Sequence, residues 1–222
     1  MANKPKLTIL PYPGENEIIK QNSPPFYVQV SEPVSMMLVL GAANKPENEL
    51  HVDAVINDNI PVYKRKGGGG TVLLAPGMAV ITLKAMVKSP YKNKQYFDLI
   101  HSFIIDTLFN KIGLNVELKG ISDLAIESKK ILGSSIYRRR QILLYQGVLL
   151  VEADLSLINV YIKHPKREPA YRNGRNHDGF VANLTEFNSE RHTREVIKYL
   201  HKTFHESFFD RLNSMEMIKL KR

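Results

Sequence analysis

The sequence predicts an α+β fold, a mixed and largely antiparallel sheet with helices packed on it. Three observations carry this. Short apolar and β-branched runs, punctuated by Gly, Pro, Asn and Ser, occupy Phe26 to Val87 and again Asn115 to Glu152. Two longer stretches, Asn93 to Lys111 and Ser189 to Leu212, carry apolar residues at helical spacing. Most successive strand runs are separated by turn residues alone, which suits hairpins and leaves no room for the crossover helices of a doubly wound parallel sheet.

Phe26 to Gly41 reads as two strands, FYVQV and MMLVLG, parted by Ser31-Glu32-Pro33. Asn44 to Glu49 opens a helix with Leu50, Val52, Val55 and Ile56 on one side, ending near Asn57-Asp58-Asn59. Ile60 to Tyr63 and Thr71 to Leu74 are strand-like and enclose a glycine-rich loop, and GMAVITLKAMV continues as a further strand. In the helix from Asn93 to Lys111, Tyr96, Phe97, Ile100, Phe103, Ile104 and Leu108 share a face, and Gly113 supplies the stop. Asn115 to Glu152 holds three or four strands turning at Gly120, at Glu127-Ser128-Lys129 and near Arg139. DLSLINVYI is a short helix starting at an Asp154 cap. Val196, Leu200, Phe204, Phe208 and Leu212 recur every fourth residue, an apolar stripe too long to leave wet, so the last helix packs back on the sheet.

At 222 residues the chain can build one large core. No secretory apolar region follows Met1-Ala2-Asn3-Lys4, and the apolar run Thr71 to Val87 is interrupted by Pro76, Gly77 and Lys84, short of a membrane span; a cytoplasmic protein is expected. With no cysteine, disulfides, thiolate metal sites and enzyme thioesters are all excluded. The net charge of +9 points to an acidic partner without choosing among nucleic acid, membrane, nucleotide and protein. Tyr137-Arg138-Arg139-Arg140 and the tail Lys219-Leu220-Lys221-Arg222 are the densest basic spots.

Two stretches carry candidate chemistry. In VYKRKGGGGTVLLAPG, four glycines follow three cations and precede an apolar run. Either this is a tight hairpin turn, or Gly67 to Gly70 let main-chain N–H groups approach an anion while Lys64, Arg65 and Lys66 add charge. It lacks both the G-K-[ST] of a P-loop and the strand-to-helix setting of a dinucleotide fold. In ISDLAIESKKILGSS a lysine pair leads into Gly133-Ser134-Ser135, where a lysine directed into a cleft can bridge two anionic oxygens; on a hairpin turn it meets only water. The seven histidines fall into no metal spacing, and no Ser-His-Asp order can be built.

Taken in order, LVLGAANKPENELHVDAV, IPVYKRKGGGGTVLL, GISDLAIESKKILGSS and LLYQGVLLVEADLSLINVYI resemble the lipoate-protein ligase A family of the biotin/lipoate ligase superfamily, across roughly residues 38 to 162. The family's basic pair, triple glycine and small-V tail fall on Lys64, Arg65, Gly68, Gly69, Gly70, Thr71 and Val72. Its G-x-N-D-L falls on Gly120, Ser122, Asp123 and Leu124, and its catalytic lysine motif on Lys130, Gly133, Ser134 and Ser135. Gly147 takes the glycine of a later strand motif, and KHPKREPAYRNGRNHDGFVANL is similar to a sub-branch with Pro-x-Tyr-Arg and Arg-x-His-x-x-Phe. The sequence departs from the pattern at Leu73-Leu74-Ala75, Ser122 and Tyr145-Gln146, and the family's N-terminal N-L-A-x-E-E helix is not recognisable in PGENEIIKQ.

The resemblance implies a class II synthetase-like catalytic domain over residues 1–185, with the C-terminal helix of 186–222 packed on it. It implies ATP and Mg²⁺, lipoate or octanoate as substrate, and an acidic lipoyl-accepting carrier: the glycine cleavage H protein or a 2-oxoacid dehydrogenase E2. An apolar tunnel between the glycine-loop strand and the Leu143 to Leu150 strand would hold the acyl tail. With only Ser189 to Arg222 after the core, the accessory domain of many such ligases would be supplied by a separate subunit or replaced by the last helix. Neither nucleic acid nor membrane is an expected partner. Three readings stay open: a ligase that forms an acyl-adenylate, an amidotransferase moving the acyl group between carriers without ATP, and a non-enzymatic relative that binds acyl groups or carriers.

Overall fold

The computed structural model describes residues 6–20, 23–88 and 93–220, the side chains of 216–220 excepted. The start at Met1 to Lys4 and the side chains of the basic tail at 219–222 lie outside it. In chain order the strands are β1 (Ile9–Pro11), β2 (Phe26–Ser31), β3 (Met37–Leu40), β4 (Val62–Lys64), β5 (Val72–Leu74), β6 (Met78–Met86), β7 (Glu117–Lys119), β8 (Asp123–Ile126), β9 (Lys129–Arg139) and β10 (Ile142–Leu150). The helices are α1 (Glu15–Ile18), α2 (Pro46–Glu49), α3 (Val52–Asn57), α4 (Asn93–Ile112), α5 (Ser156–Tyr161), α6 (His177–Phe180), α7 (Thr193–Thr203) and α8 (Phe209–Leu220), with a π turn at Phe204–Phe208 joining the last two. Among the described residues no helix is long and apolar enough to cross a membrane.

The mixed sheet expected from the sequence is two sheets. One has six antiparallel strands in the order β2-β6-β10-β9-β8-β7; the other has four, β1-β4-β3-β5, and holds the parallel pairs, β1 with β4 and β3 with β4. Parallel neighbours need a crossover, and α2 and α3 supply it between β3 and β4. One face of the large sheet, carrying Val28, Val30, Ile81, Leu83, Leu124, Leu132 and Leu149, packs with α4 and the C-terminal helix into the main core. Its other face meets the small sheet through Val80 and Val148, against Val39, Leu74 and Val72.

The single helix expected from Asn44 is broken at Leu50 and His51. Leu50 is fully buried and bridges Ile162, while the His51 N–H donates to Tyr161 O, so long-range backbone pairing takes the groups a continuous helix would use. Asp154 does act at the start of α5: its carboxylate accepts from the Ser156 N–H and Oγ. The fourfold stripe of the last helix also has a physical account. A repeat of four drifts about 40° per step around an α-helix of 3.6 residues per turn, and the π turn at Phe204–Phe208 is wider, offsetting the drift. All five stripe residues stay buried, with Phe103 edge-on to Phe208 at 5.1 Å.

Glu152, just beyond β10, ties this helix to the sheet. Its carboxylate accepts from the Thr193 N–H and Oγ and from His192 Nδ1, satisfying donors at the start of α7. The His192 hydrogen bond, then the Thr193 N–H, holds the Glu152 carboxyl below its ordinary range, and the Glu152 bond raises His192. The Glu152 contribution is present above its unfolded pKa of about 4.3 and is lost as pH falls through the lower folded value. That of His192 is present below its unfolded pKa of about 6.5 and is lost as pH rises through the higher folded value. Both are made between roughly pH 4.5 and 6.5. Loss of such a cap costs about 1 kcal/mol, or roughly 2–4 °C for a chain of this size. Glu152→Ala, which removes both the cap and the partner of His192, is therefore expected to lower the melting temperature by that amount in this window and by less above pH 8, as read from paired thermal melts.

Candidate active site

Lys130 lies at the start of β9, and a register shift decides which way it faces. Asp123 pairs with Gly133 and Leu124 with Leu132, but Ala125 pairs with Lys130, so Ile131 is an extra residue in the ladder. Side chains alternate along a strand, and one inserted residue exchanges the faces beyond it. Lys130 thereby shares a face with Asp123 and Gly133, while Ile131 and Leu132 are both buried in the helix-side core. The Lys130 ammonium is 2.8 Å from Asp123 Oδ1, and the second carboxylate oxygen accepts from Tyr171 Oη at 2.9 Å. A Cβ on Gly133 would stand 2.8 Å from both Cε and Nζ of Lys130, so only glycine leaves the lysine this path. Lys129 points elsewhere and pairs with Glu186 at the surface.

The glycine loop lies over the next part of the same face. A Cβ on Gly67 would come within 2.9 Å of Ser135 Oγ, and Ser135 is paired with Gln146 of β10. All four glycine carbonyls are turned toward the protein: Gly67 O accepts from the Ala42 N–H, Gly69 O from Asn44 Nδ2, and Gly68 O and Gly70 O each from Arg65 at 2.7 Å. In a trans peptide the N–H points opposite to the carbonyl. The N–H groups of Gly68, Gly69, Gly70 and Thr71 are thus directed away from those partners, on a segment where Gly68 to Gly70 are exposed. Gly41 permits the close approach, since a Cβ there would fall 2.2 Å from Gly69 O.

Arg65 is buried and acts as the clamp of this loop; its third hydrogen bond goes to Val39 O. Burial lowers its pKa, with Glu15 and then Tyr12 opposing. Glu15, 2 % exposed at the start of α1, accepts from the Lys66 N–H at 2.9 Å, and burial holds its carboxyl above the ordinary range. Thr71 Oγ1 donates to Glu49, and Val72 packs between the sheets.

Beside the loop is a cleft of about 440 Å³ running under α1 and over β2, β6 and β10. Its walls include Tyr12, Ile18, Tyr27 and Val80, and its floor a polar row, Gln29, Thr82 and Gln146, in one register across three strands. It reaches β10 at Gln146, one side of the expected tunnel, and no residue of the glycine-loop strands β4 and β5 lines it.

The expected site residues divide between the two faces. Lys130, Asp123, Gly133 and Ser135 share one face of the large sheet, with Gly67 over Ser135. Ser134 and Gly147, paired with each other, face the helices: Ser134 Oγ donates to Ser122 O and lies 3.0 Å from His101 Nε2. Gly147 supports the ring of Tyr145, whose Oη would be 2.7 Å from a Cβ there. His101 comes from α4, and the serine proton is directed to the Ser122 carbonyl. Burial holds His101 neutral, its pKa lowered to about 4. Ser122 contributes its carbonyl, which also accepts the Ser134 N–H.

Residues 16–205 match the family model described as the lipoyl protein ligase A/B catalytic domain. The chain belongs to that family. Solved structures similar to this ligase-family domain include a bipartite lipoate protein ligase with its E2 lipoyl domain from Thermoplasma acidophilum, at 21% identity and TM-score 0.70, covering 82% of this chain and 70% of that one. Lipoate-protein ligase A bound with ATP matches at 21% identity and TM-score 0.69, over 82% of this chain and 72% of that one. P. falciparum LipL1 in complex with lipoate matches at 19% identity and TM-score 0.67, over 84% of this chain and 50% of that one. The fold is the class II synthetase-like one implied by the resemblance.

Sequence reasoning missed Glu15, Gly41, Gln146 and Tyr171. Gln146 had a signal, a polar residue inside the apolar run LLYQGVLL, as did Gln29 and Thr82 in theirs. For Glu15 and Tyr171 no local spacing announces the contact, because their partners lie 51 and 48 residues away. Lysine at 65 cannot span three carbonyls as the guanidinium does, so Arg65→Lys is expected to cost about 1–3 kcal/mol in urea unfolding at constant m-value.

Proposed function

We propose that this domain activates lipoate or octanoate with ATP to a bound acyl-adenylate and passes the acyl group to a lysine of an acidic lipoyl carrier domain. The observation that carries this is the shared face of the large sheet. There the Lys130 ammonium, the outward N–H groups of the glycine loop and a cleft of acyl-chain size lie in sequence. Attack of a carboxylate oxygen on the α-phosphate brings two anions together and expels pyrophosphate, so catalysis requires donors and cations that bind the crowded oxygens better than the separate reactants. The N–H groups of Gly68 to Thr71 serve the phosphate and acyl oxygens. Lys130 leaves Asp123 to span carboxyl and phosphate oxygens. The carrier lysine amine then attacks the acyl carbonyl and AMP departs.

The cleft holds the tail, each buried methylene contributing about 0.8 kcal/mol. Tyr12, Ile18, Tyr27 and Val80 supply its apolar contacts. Among the described residues no group of three or more His, Cys, Asp or Glu could hold a metal ion. Mg²⁺ commonly takes phosphate oxygens and water with one or two carboxylates.

The net charge of +9 suits an acidic carrier surface. The carrier and the activation step are read from the family and from relatives described with ATP, with lipoate and with an E2 lipoyl domain. ATP–pyrophosphate exchange tests the reading with each acid, with and without a lipoyl domain. Exchange that depends on lipoate or octanoate is expected. No exchange, with transfer from a preloaded carrier still occurring, would establish the amidotransferase instead; neither activity would leave a binding protein.

A further inference from the structure

We infer that Tyr171 is a positioning residue for Lys130, acting through Asp123; this rests on the role proposed for Lys130. The three groups form a chain: Tyr171 Oη donates to Asp123 Oδ2 at 2.9 Å, and Asp123 Oδ1 receives the Lys130 ammonium at 2.8 Å. Asp123 is thus shared between a neutral donor and a cation. A carboxylate that already accepts one hydrogen bond holds a second donor less tightly, because the same negative charge is spread over both contacts. Lys130 has to leave this carboxylate to reach substrate oxygens. The tyrosine therefore sets how firmly the resting lysine is held as well as where Asp123 points.

The segment around Tyr171 is built to hold that hydroxyl in place. Arg172, 4 % exposed, and Arg175 both lie over the Phe180 ring, at 4.7 and 5.3 Å. Each donates its Nε to the other's carbonyl, across a turn in which Asn173 and Gly174 have φ of 52° and 70°. Arg175 also binds Tyr171 O, and it reaches Ser128 O in the turn that precedes Lys129. Glu168 closes the loop through the Gly174 N–H and an ion pair with Arg172. The Tyr171 ring packs 5.1 Å from Phe180, and the Gly120 turn lies beside it. At the lysine end, the Ala182 N–H donates to Lys130 O, so the segment following α6 fixes the backbone of the same lysine. Burial, followed by the Asp123 charge, keeps the Tyr171 hydroxyl well above the ordinary phenol range, so it remains a donor.

The test reads Lys130 directly. In wild type and Tyr171→Phe, an amine-directed acylating reagent is applied at one pH without substrates, and modification of Lys130 and Lys129 is followed by peptide mass spectrometry. Lys130 is expected to react at least about 3-fold more slowly in the variant because Asp123 holds it more tightly. Lys129, paired with Glu186, is expected to be unchanged. In turnover, kcat is expected to fall about 10-fold with KM for the acid within about twofold. An Asp123→Asn background should abolish both effects of the tyrosine substitution. Unchanged or faster Lys130 labelling in Tyr171→Phe, or an undiminished effect in the Asp123→Asn background, would overturn the inference. Because labelling needs neither ATP nor acid, it decides the inference even if the ligase reading fails.

Discussion

The ladder between β8 and β9 accommodates one residue more on β9 than on β8, and the candidate site depends on that residue. Without Ile131 as the extra member, regular alternation would put Lys130 on the face of Leu132, inside an apolar core of α4, α7 and the sheet. An ammonium there would be desolvated without a partner, at a cost of several kcal/mol. With it, the lysine turns to the face that also carries Asp123, Gly133, Ser135 and the cleft floor. The tight Glu127-Ser128 turn, with both residues at positive φ, begins the strand, and its Ser128 carbonyl is held by Arg175. The bulge, the turn and the 171–182 segment thus form one support for a single side chain.

A second support holds the glycine loop. The loop has no side chains of its own to pack, so its shape is imposed from below by a buried guanidinium, by Asn44 and by the close passage of Gly41. Of the three cations that flank the glycines in sequence, Arg65 is the buried one and organises the loop. Lys64 and Lys66 remain partly exposed at its edge, where they line a second cleft with β1. The buried Glu15 carboxylate lies against the Lys66 N–H, so charge compensation beneath the loop comes from an element that joins the site only in the folded chain.

What could be read along the chain follows from the range of the interactions involved. The long helix at Asn93, the hairpins from Glu117 to Leu150 and the buried stripe of the last helix are legible because periodicity and turn residues are local. The break at Leu50 and the division into two sheets are not, since each depends on which distant strand or helix end supplies the backbone partner. In the site, the glycine run and Lys130 stand out by composition and by likeness to a family. The assignment of Ser134 and Gly147 to the opposite face from Lys130 does not, because it requires knowing where the ladder gains a residue. Tyr171 lay in a segment already similar to a sub-branch, yet its contact with Asp123 needed the fold.

The bulge turns Lys130, and not its neighbour, toward the candidate site. Acyl transfer to a lipoyl domain by Lys130→Ala and Lys129→Ala, each first shown to melt like the wild type, tests it most directly. Lys130→Ala is expected to lose about 10²-fold or more in kcat, as loss of one oxyanion-type contact does, while Lys129→Ala stays near wild type. A silent Lys130→Ala beside a damaging Lys129→Ala would contradict it.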